Sequence, residues 1–288
     1  MASATSGRRI ELRKSISNTF TIVIVAALAV YFLLPVWWAV VASTKLYSVA
    51  FSGSPIWFNN PTLFNFIYAF TKSSLLLWLG NSLIEAGSAG VIGALVAAMA
   101  GFALGKYTFR GKRFLTLAVA IGLMIPSTAI AFPTFVLEQQ IGLVNTYEGV
   151  IFPTAVSAFG TYFMTIYAQE TIPKDVLDAA RIDGASEWKV FTSIALRYFR
   201  PALVTIFIII FAGTWNNYLL PLFVLRDATL YMLPQGLASV LINGSTFPNL
   251  QYAIQLSGTV VTIMLMIGLF VGLEKYIEAG LGLGAVRG

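Results

Sequence analysis

Residues able to do chemistry are scarce in this chain, and they concentrate in one place. There is no histidine and no cysteine. Thiolate metal sites, disulfides and histidine acid–base chemistry are therefore excluded. Only twelve residues are Asp or Glu, and five of them (Glu170, Asp175, Asp178, Asp183 and Glu187) fall inside a charged island spanning 169–201, beside Lys174, Arg181 and Lys189. The single stretch that looks like a nucleotide loop is Gly101-Phe102-Ala103-Leu104-Gly105-Lys106-Tyr107. A P-loop needs four residues between its glycines and a Ser or Thr after the lysine, so that backbone N–H groups cradle phosphate and the hydroxyl meets magnesium. Here three residues separate the glycines and a tyrosine follows the lysine. Gly101 and Gly105 fit better as a small-xxx-small packing surface between membrane helices, as do Gly268 and Gly272. The chain is expected to carry no catalytic group, no metal and no cofactor of its own.

The elements that must position this island are membrane helices. The chain is 58% hydrophobic and 10% charged, with a mean hydropathy of +0.81. A soluble domain needs roughly 25% charged residues to cover its surface. About 20 apolar residues cross a bilayer as a helix. Six stretches qualify: 20–42, 79–104, 114–137, 149–167, 203–225 and 256–277. The expected fold is an all-α polytopic membrane protein of six transmembrane helices. Its parts are a terminal segment over 1–19, the first helix over 20–42, an outer loop over 43–78 and a core over 79–277. The core holds the 169–201 loop on one side and a 226–255 loop on the other, and a tail over 278–288 follows. The basic start could pass for a secretory signal. However, its apolar run is long and continues through Pro35, Trp37 and Trp38, which predicts a retained helix. The second stretch contains Asn81, Glu85 and several glycines, and the third contains Pro126 and Pro133. Such breaks survive in a membrane only where they are buried in protein or line a cavity.

Lys and Arg set the orientation. With alternating loops, fifteen lie on the side of the N-terminus, the island and the C-terminus, against Lys45, Lys72 and Arg226 on the other. Both termini and the island are expected in the cytoplasm of a prokaryotic cell, and the basic pI of 9.5 reflects this bias rather than a nucleic-acid footprint. Within the island, Pro173 suits a helix start. Val176, Leu177 and Ala180 form one face of that helix, while Asp175, Asp178 and Arg181 favour the other. Gly184 can take the left-handed conformation that ends a helix. Ser186 can cap a second short helix through Trp188, Phe191 and Ile194, and Pro201 fits the first turn of the fifth membrane helix. The small residues Ala179, Ala180 and Ala185 allow another surface to approach closely. The plainer alternative is a solvated loop with two incidental helices.

Asp178-Ala179-Ala180, Asp183-Gly184-Ala185 and Ile194-Ala195-Leu196 together resemble the EAA loop of ABC-importer permeases, in particular the maltose-type carbohydrate permeases. The loop's leading Glu is Asp178 here, and Arg197 stands where a proline is expected. Trp215-Asn216-Asn217-Tyr218 with Pro221, the segment 231–238 and the tail 275–288 also resemble that family. The resemblance implies a heteromeric importer with a second permease subunit, a dimer of cytoplasmic ABC ATPase that binds ATP and Mg, and an extracytoplasmic solute-binding protein, all on a lipid bilayer and without nucleic acid. It further implies that Asp178, Ala179, Ala180, Asp183, Gly184, Ala185, Trp188 and Phe191 couple ATPase motion to the membrane helices. By the same resemblance, the third outer loop reaches toward the binding protein and the tail meets the ATPase.

Signals for the translocation path are weaker. Glu85 lies roughly 10 Å into the second helix, where a charge costs on the order of 3 kcal/mol. It either faces the path or makes a structural hydrogen bond. Trp215, Asn216, Asn217 and Tyr218 offer amides and aromatic faces suited to a sugar, or else bond between helices. A di- or oligosaccharide is the first cargo implied, with glycerol-phosphate-type polyols or diesters second. Outside that class, a channel or carrier would need several intramembrane charges or inverted repeats, and a membrane enzyme would need a polar catalytic cluster. The sequence shows neither.

Overall fold

The computed structural model describes residues 2–46, 54–242 and 248–282, with side chains described over 19–46, 54–241 and 250–274. Among the described residues there is no strand. Five helical segments among the described residues are long and apolar enough to cross a membrane: Thr19–Thr44, Leu75–Lys106, Glu148–Thr171, Glu187–Trp215 and Leu250–Glu274. A sixth arises if a pair of helices bent by 110°, Lys112–Gly122 and Ser127–Ile141, is counted as one span.

The chain divides into two units. One comprises 1–72 with 244–261. In it α1 (Ala2–Thr44) is followed by α2 (Phe64–Lys72), a helix inside the expected loop 43–78. The buried Asn65 holds this connection by donating to the Ser43 carbonyl at 2.8 Å, and Thr62 N–H donates to Thr44 O. Ala42 and Leu256 form a small apolar cluster with Trp38.

The other unit, 73–243 with 262–288, contains the charged island. Its axis is α3 (Leu75–Lys106), which packs along α7 (Ala158–Thr171) and α10 (Leu196–Trp215). Close approach is possible because α3 buries a run of small residues, including Ala86, Ala89, Ala94, Ala97 and Ala98. At Gly101 a Cβ would lie 2.6 Å from the Met164 carbonyl carbon, and at Gly105 it would lie 2.8 Å from Ala168 Cβ. This pair is therefore a packing surface for α7. Gly268 and Gly272, by contrast, meet nothing within 4 Å among the described residues.

Two expected spans are corrected, the third and the fifth. The stretch 114–137 is not one helix: α4 (Lys112–Gly122) and α5 (Ser127–Ile141) turn sharply at Leu123–Pro126, because Pro126 cannot continue a helix and pushes Ile125 out of the α region. The fourth span stands as expected, at Glu148–Thr171, but is interrupted between α6 (Glu148–Ala155) and α7, with Ser157 capping α7 through Gly160 N–H at 2.9 Å. The fifth span lies earlier than 203–225. It begins at α9 (Glu187–Lys189), runs through a π-helical turn at Val190–Ala195 and continues as α10, with Pro201 inside the helix rather than at its start. Arg197, where a proline is expected, lies in the first turn of α10, directly after the π turn, and the helix runs on through it. Short helix α11 (Leu219–Val224) follows, then α12 (Leu233–Ile242) and α13 (Pro248–Gly282). Residues 243–247 of the 226–255 loop and the tail residues 283–288 lie outside the described residues.

Candidate functional site: a glycine turn and a cavity at three helix breaks

The charged island folds as two short helices around a turn. Pro173 caps α8 (Lys174–Ile182) with an extended backbone. Leu177 is buried and Ala180 packs on the same core, as the apolar periodicity predicts. Gly184 sits at φ +79°, with its N–H on Arg181 O and the Ala185 N–H on Ala180 O, both at 3.0 Å. This is a Schellman closure, which needs the left-handed conformation that glycine adopts without a Cβ penalty. Ser186 then accepts from Lys189 N–H at 3.3 Å and starts α9.

Around that turn Ala179, Asp183 and Gly184 are exposed, and Ala185 is half-buried. Two large apolar side chains stand out on either side of it: Ile182 at 86% and Trp188 at 66% exposure. Phe191 is buried instead, its ring 5.6 Å from Phe102, so it anchors the turn to α3 from within. Asp178 is not free. Arg181 donates to it at 3.1 Å and to Glu187 Oε1 at 2.8 Å. Tyr107, just past α3, donates its hydroxyl to Glu187 Oε2, with the Arg181 guanidinium 5.6 Å over its ring. Burial, then the Glu187 hydrogen bond, pushes the Tyr107 hydroxyl up to about 12. The Glu187 hydrogen bond likewise raises Arg181. Tyr107 is therefore a donor and Arg181 a cation at every physiological pH.

The second feature is a cavity of about 820 Å³ in the same unit. Three helix interruptions converge on it: Leu123–Pro126, Val156–Ser157 and Asn216–Tyr218. Its polar lining residues are Ser127, Thr128, Thr134, Thr154, Ser157 and Thr214, together with Asn216, Asn217 and Tyr218. None of its lining residues is charged. Asn216 donates to Ala212 O at 2.8 Å, and Asn217 Oδ1 caps α11 by accepting from Leu220 N–H at 3.3 Å. Irregular backbone at membrane depth is tolerated where it lines such a space.

The structure brings Asn216, Asn217 and Tyr218 into this lining but not Trp215 or Glu85. Trp215 is fully buried and stacks on Phe211 at 5.6 Å. Glu85 is also fully buried, and neither carboxyl oxygen has a hydrogen-bond partner among the described residues. It lies one turn beyond Asn81 and Ser82, which bind the segment leading into α12: Asn81 Nδ2 donates to Thr229 O and Tyr231 O, and Leu233 N–H donates to Ser82 Oγ.

Residues 91–281 match the family described as Binding-protein-dependent transport system inner membrane component. The chain belongs to that family. This permease is 41% identical over 228 residues, 79% of its length and 80% of its relative's, to the Arabinooligosaccharides transport system permease protein AraQ of Halalkalibacterium halodurans. It is 28% identical, over 90% of its length and 85% of its relative's, to the Diacetylchitobiose uptake system permease protein NgcG of Streptomyces coelicolor. Its fold matches a chain in the crystal structure of a bacterial ABC transporter involved in the import of the acidic polysaccharide alginate, with a TM-score of 0.81 at 19% identity, covering 91% of this chain and 96% of that one. It is thus a permease subunit of an ABC importer rather than an enzyme, and the ATPase is a separate subunit.

Sequence reasoning did not single out the cavity hydroxyls or the part played by Tyr107. Hydroxyls inside apolar runs, close to Pro126 and Pro153, were a usable signal for the first group. For Tyr107 there was none, since its partner lies 80 positions away.

Proposed function

We propose that this permease moves an uncharged di- or oligosaccharide into a prokaryotic cell through the three-break cavity, driven by an ATPase pair that docks on the turn around Gly184. The cavity carries this reading. Hydroxyls and amides match the edges of a sugar, and Tyr218 offers a ring face for its C–H surface. A space of this volume suits a small ligand. With no cation in the lining, an anionic cargo such as a glycerol phosphate diester would have no counter-charge, which disfavours that alternative. The names of the relatives support an oligosaccharide, arabino-oligosaccharides first.

In this reading both termini and the coupling turn are cytoplasmic, as the distribution of Lys and Arg indicates. Asp183, Gly184, Ala179, Ala185, Ile182 and Trp188 form the surface that enters the ATPase, which binds ATP and Mg. The segment following α11, fixed to α3 by Asn81 and Ser82, faces the extracytoplasmic solute-binding protein, and a second permease subunit completes the path. The test is uptake of radiolabelled arabinotriose by proteoliposomes holding both permeases, the ATPase and the binding protein. ATP-dependent uptake that an equal excess of unlabelled neutral trisaccharide competes away, and an alginate trisaccharide does not, is the expected result. Uptake of the acidic sugar alone would overturn it.

A further inference from the structure

The coupling turn is fastened to α3 at both of its ends by two consecutive residues. At the entry, Lys106 donates to Ile172 O at 2.7 Å and to Gln169 O at 3.1 Å, holding the chain where α7 stops and α8 is about to begin. At the exit, Tyr107 donates to Glu187 Oε2 as α9 starts. Glu187 in turn receives the Arg181 guanidinium through Nε at 2.8 Å and Nη2 at 3.4 Å, which ties the exit back to α8 across the turn. Phe102, one turn earlier on α3, packs on Phe191 at 5.6 Å and on Tyr107 at 5.4 Å. Lys112 closes the corner from α4 by donating to Tyr107 O at 2.9 Å.

By covalent connection alone, a push on the turn would travel into α7 and α10, and α3 would follow only through apolar sliding contacts. A directional bond resists such sliding, because a displacement of about an ångström already breaks it. We propose that Tyr107 is a positioning residue that fastens the coupling turn to the end of α3, so that α3, α7 and α10 move as one body when the ATPase moves the turn. This rests on the coupling role given above to the turn itself.

The test is Tyr107→Phe in the fully assembled transporter in proteoliposomes, with arabinotriose as the imported probe. The readout is ATP hydrolysed per sugar imported, which a purely structural role would not move once the quantity of complex is normalised. This ratio is expected to rise at least threefold in Tyr107→Phe and by less in Glu187→Gln, which keeps an acceptor for the phenol. The chain has no cysteine, so Tyr107→Cys with Glu187→Cys can be bridged cleanly by a short bifunctional methanethiosulfonate. Bridging is expected to restore the ratio lost in the unbridged pair. An unchanged ratio in Tyr107→Phe, or a bridge that stops import, would overturn the proposal. Gly184→Val serves as the control: if it raises the ratio and Tyr107→Phe does not, only the fastening fails, whereas if neither does, the coupling role of the turn fails with it.

Discussion

The sharpest consequence of the coupling turn concerns Gly184. Its φ of +79° is one that L residues reach at a cost of roughly 1–2 kcal/mol, and a β-branched side chain stands at the upper end of that range. An added Cβ would meet nothing within 4 Å, so the penalty comes from the backbone alone and does not disturb the core. The turn can escape the strain only by giving up the two closing bonds, Gly184 N–H to Arg181 O and Ala185 N–H to Ala180 O. A cost of about 2 kcal/mol lowers the population of the native turn about 30-fold. Asn tolerates the left-handed region through its short polar side chain and should cost under about 1 kcal/mol. ATP-driven uptake per membrane-inserted permease should therefore fall in the order Gly184, Gly184→Asn, Gly184→Ala, Gly184→Val, with immunoblotted permease constant across the series. Wild-type uptake by Gly184→Val would refute the reasoning. So would equal losses in Asn and Val, because a docking surface spoiled by size alone predicts a different order.

Three further outcomes follow from the core and the cavity. Asn216→Ala combined with Asn217→Ala should lower the affinity or maximal rate of oligosaccharide uptake several-fold, as measured in the same proteoliposomes, and unchanged values would remove these amides from the path. Gly101→Leu should abolish recovery of monodisperse protein by size-exclusion chromatography, because its Cβ alone would lie 2.8 Å from Thr165 N on a backbone that cannot yield. Gly87→Leu, with nothing within 4 Å, should be recovered normally. Glu85→Met should raise the melting temperature in detergent, since it removes two buried oxygens without partners, each costing on the order of 1–3 kcal/mol. A lowered melting temperature would mean that the carboxyl is satisfied in the assembled protein.

The breaks in the membrane helices have a common logic. Pro126, Ser157 and the pair Asn216–Asn217 each interrupt a span at a place where the freed backbone faces the cavity or is capped by a neighbouring side chain. The α3 axis, by contrast, has no interruption over 32 residues. One element is continuous, and its neighbours are interrupted where they line the cavity.

Much of this was legible from residues alone, because it depends on local chemistry. The scarcity of charge dictates membrane helices, and Pro173, Gly184 and Ser186 dictate the helix–turn–helix of the island. Each of these follows from a residue and its near neighbours. The start of the fifth span was misplaced because apolar length marks where a helix meets lipid, and says nothing of a polar helix running into it through a π turn. Glu85 and Asn216 look alike in sequence, as polar residues in apolar runs. Only the packing of α3 and the convergence of three breaks separate a buried carboxyl from a cavity amide. The bond from Tyr107 to Glu187 is likewise a product of the fold, since what brings them together is the close packing of α3 on α7 and on the π-helical turn.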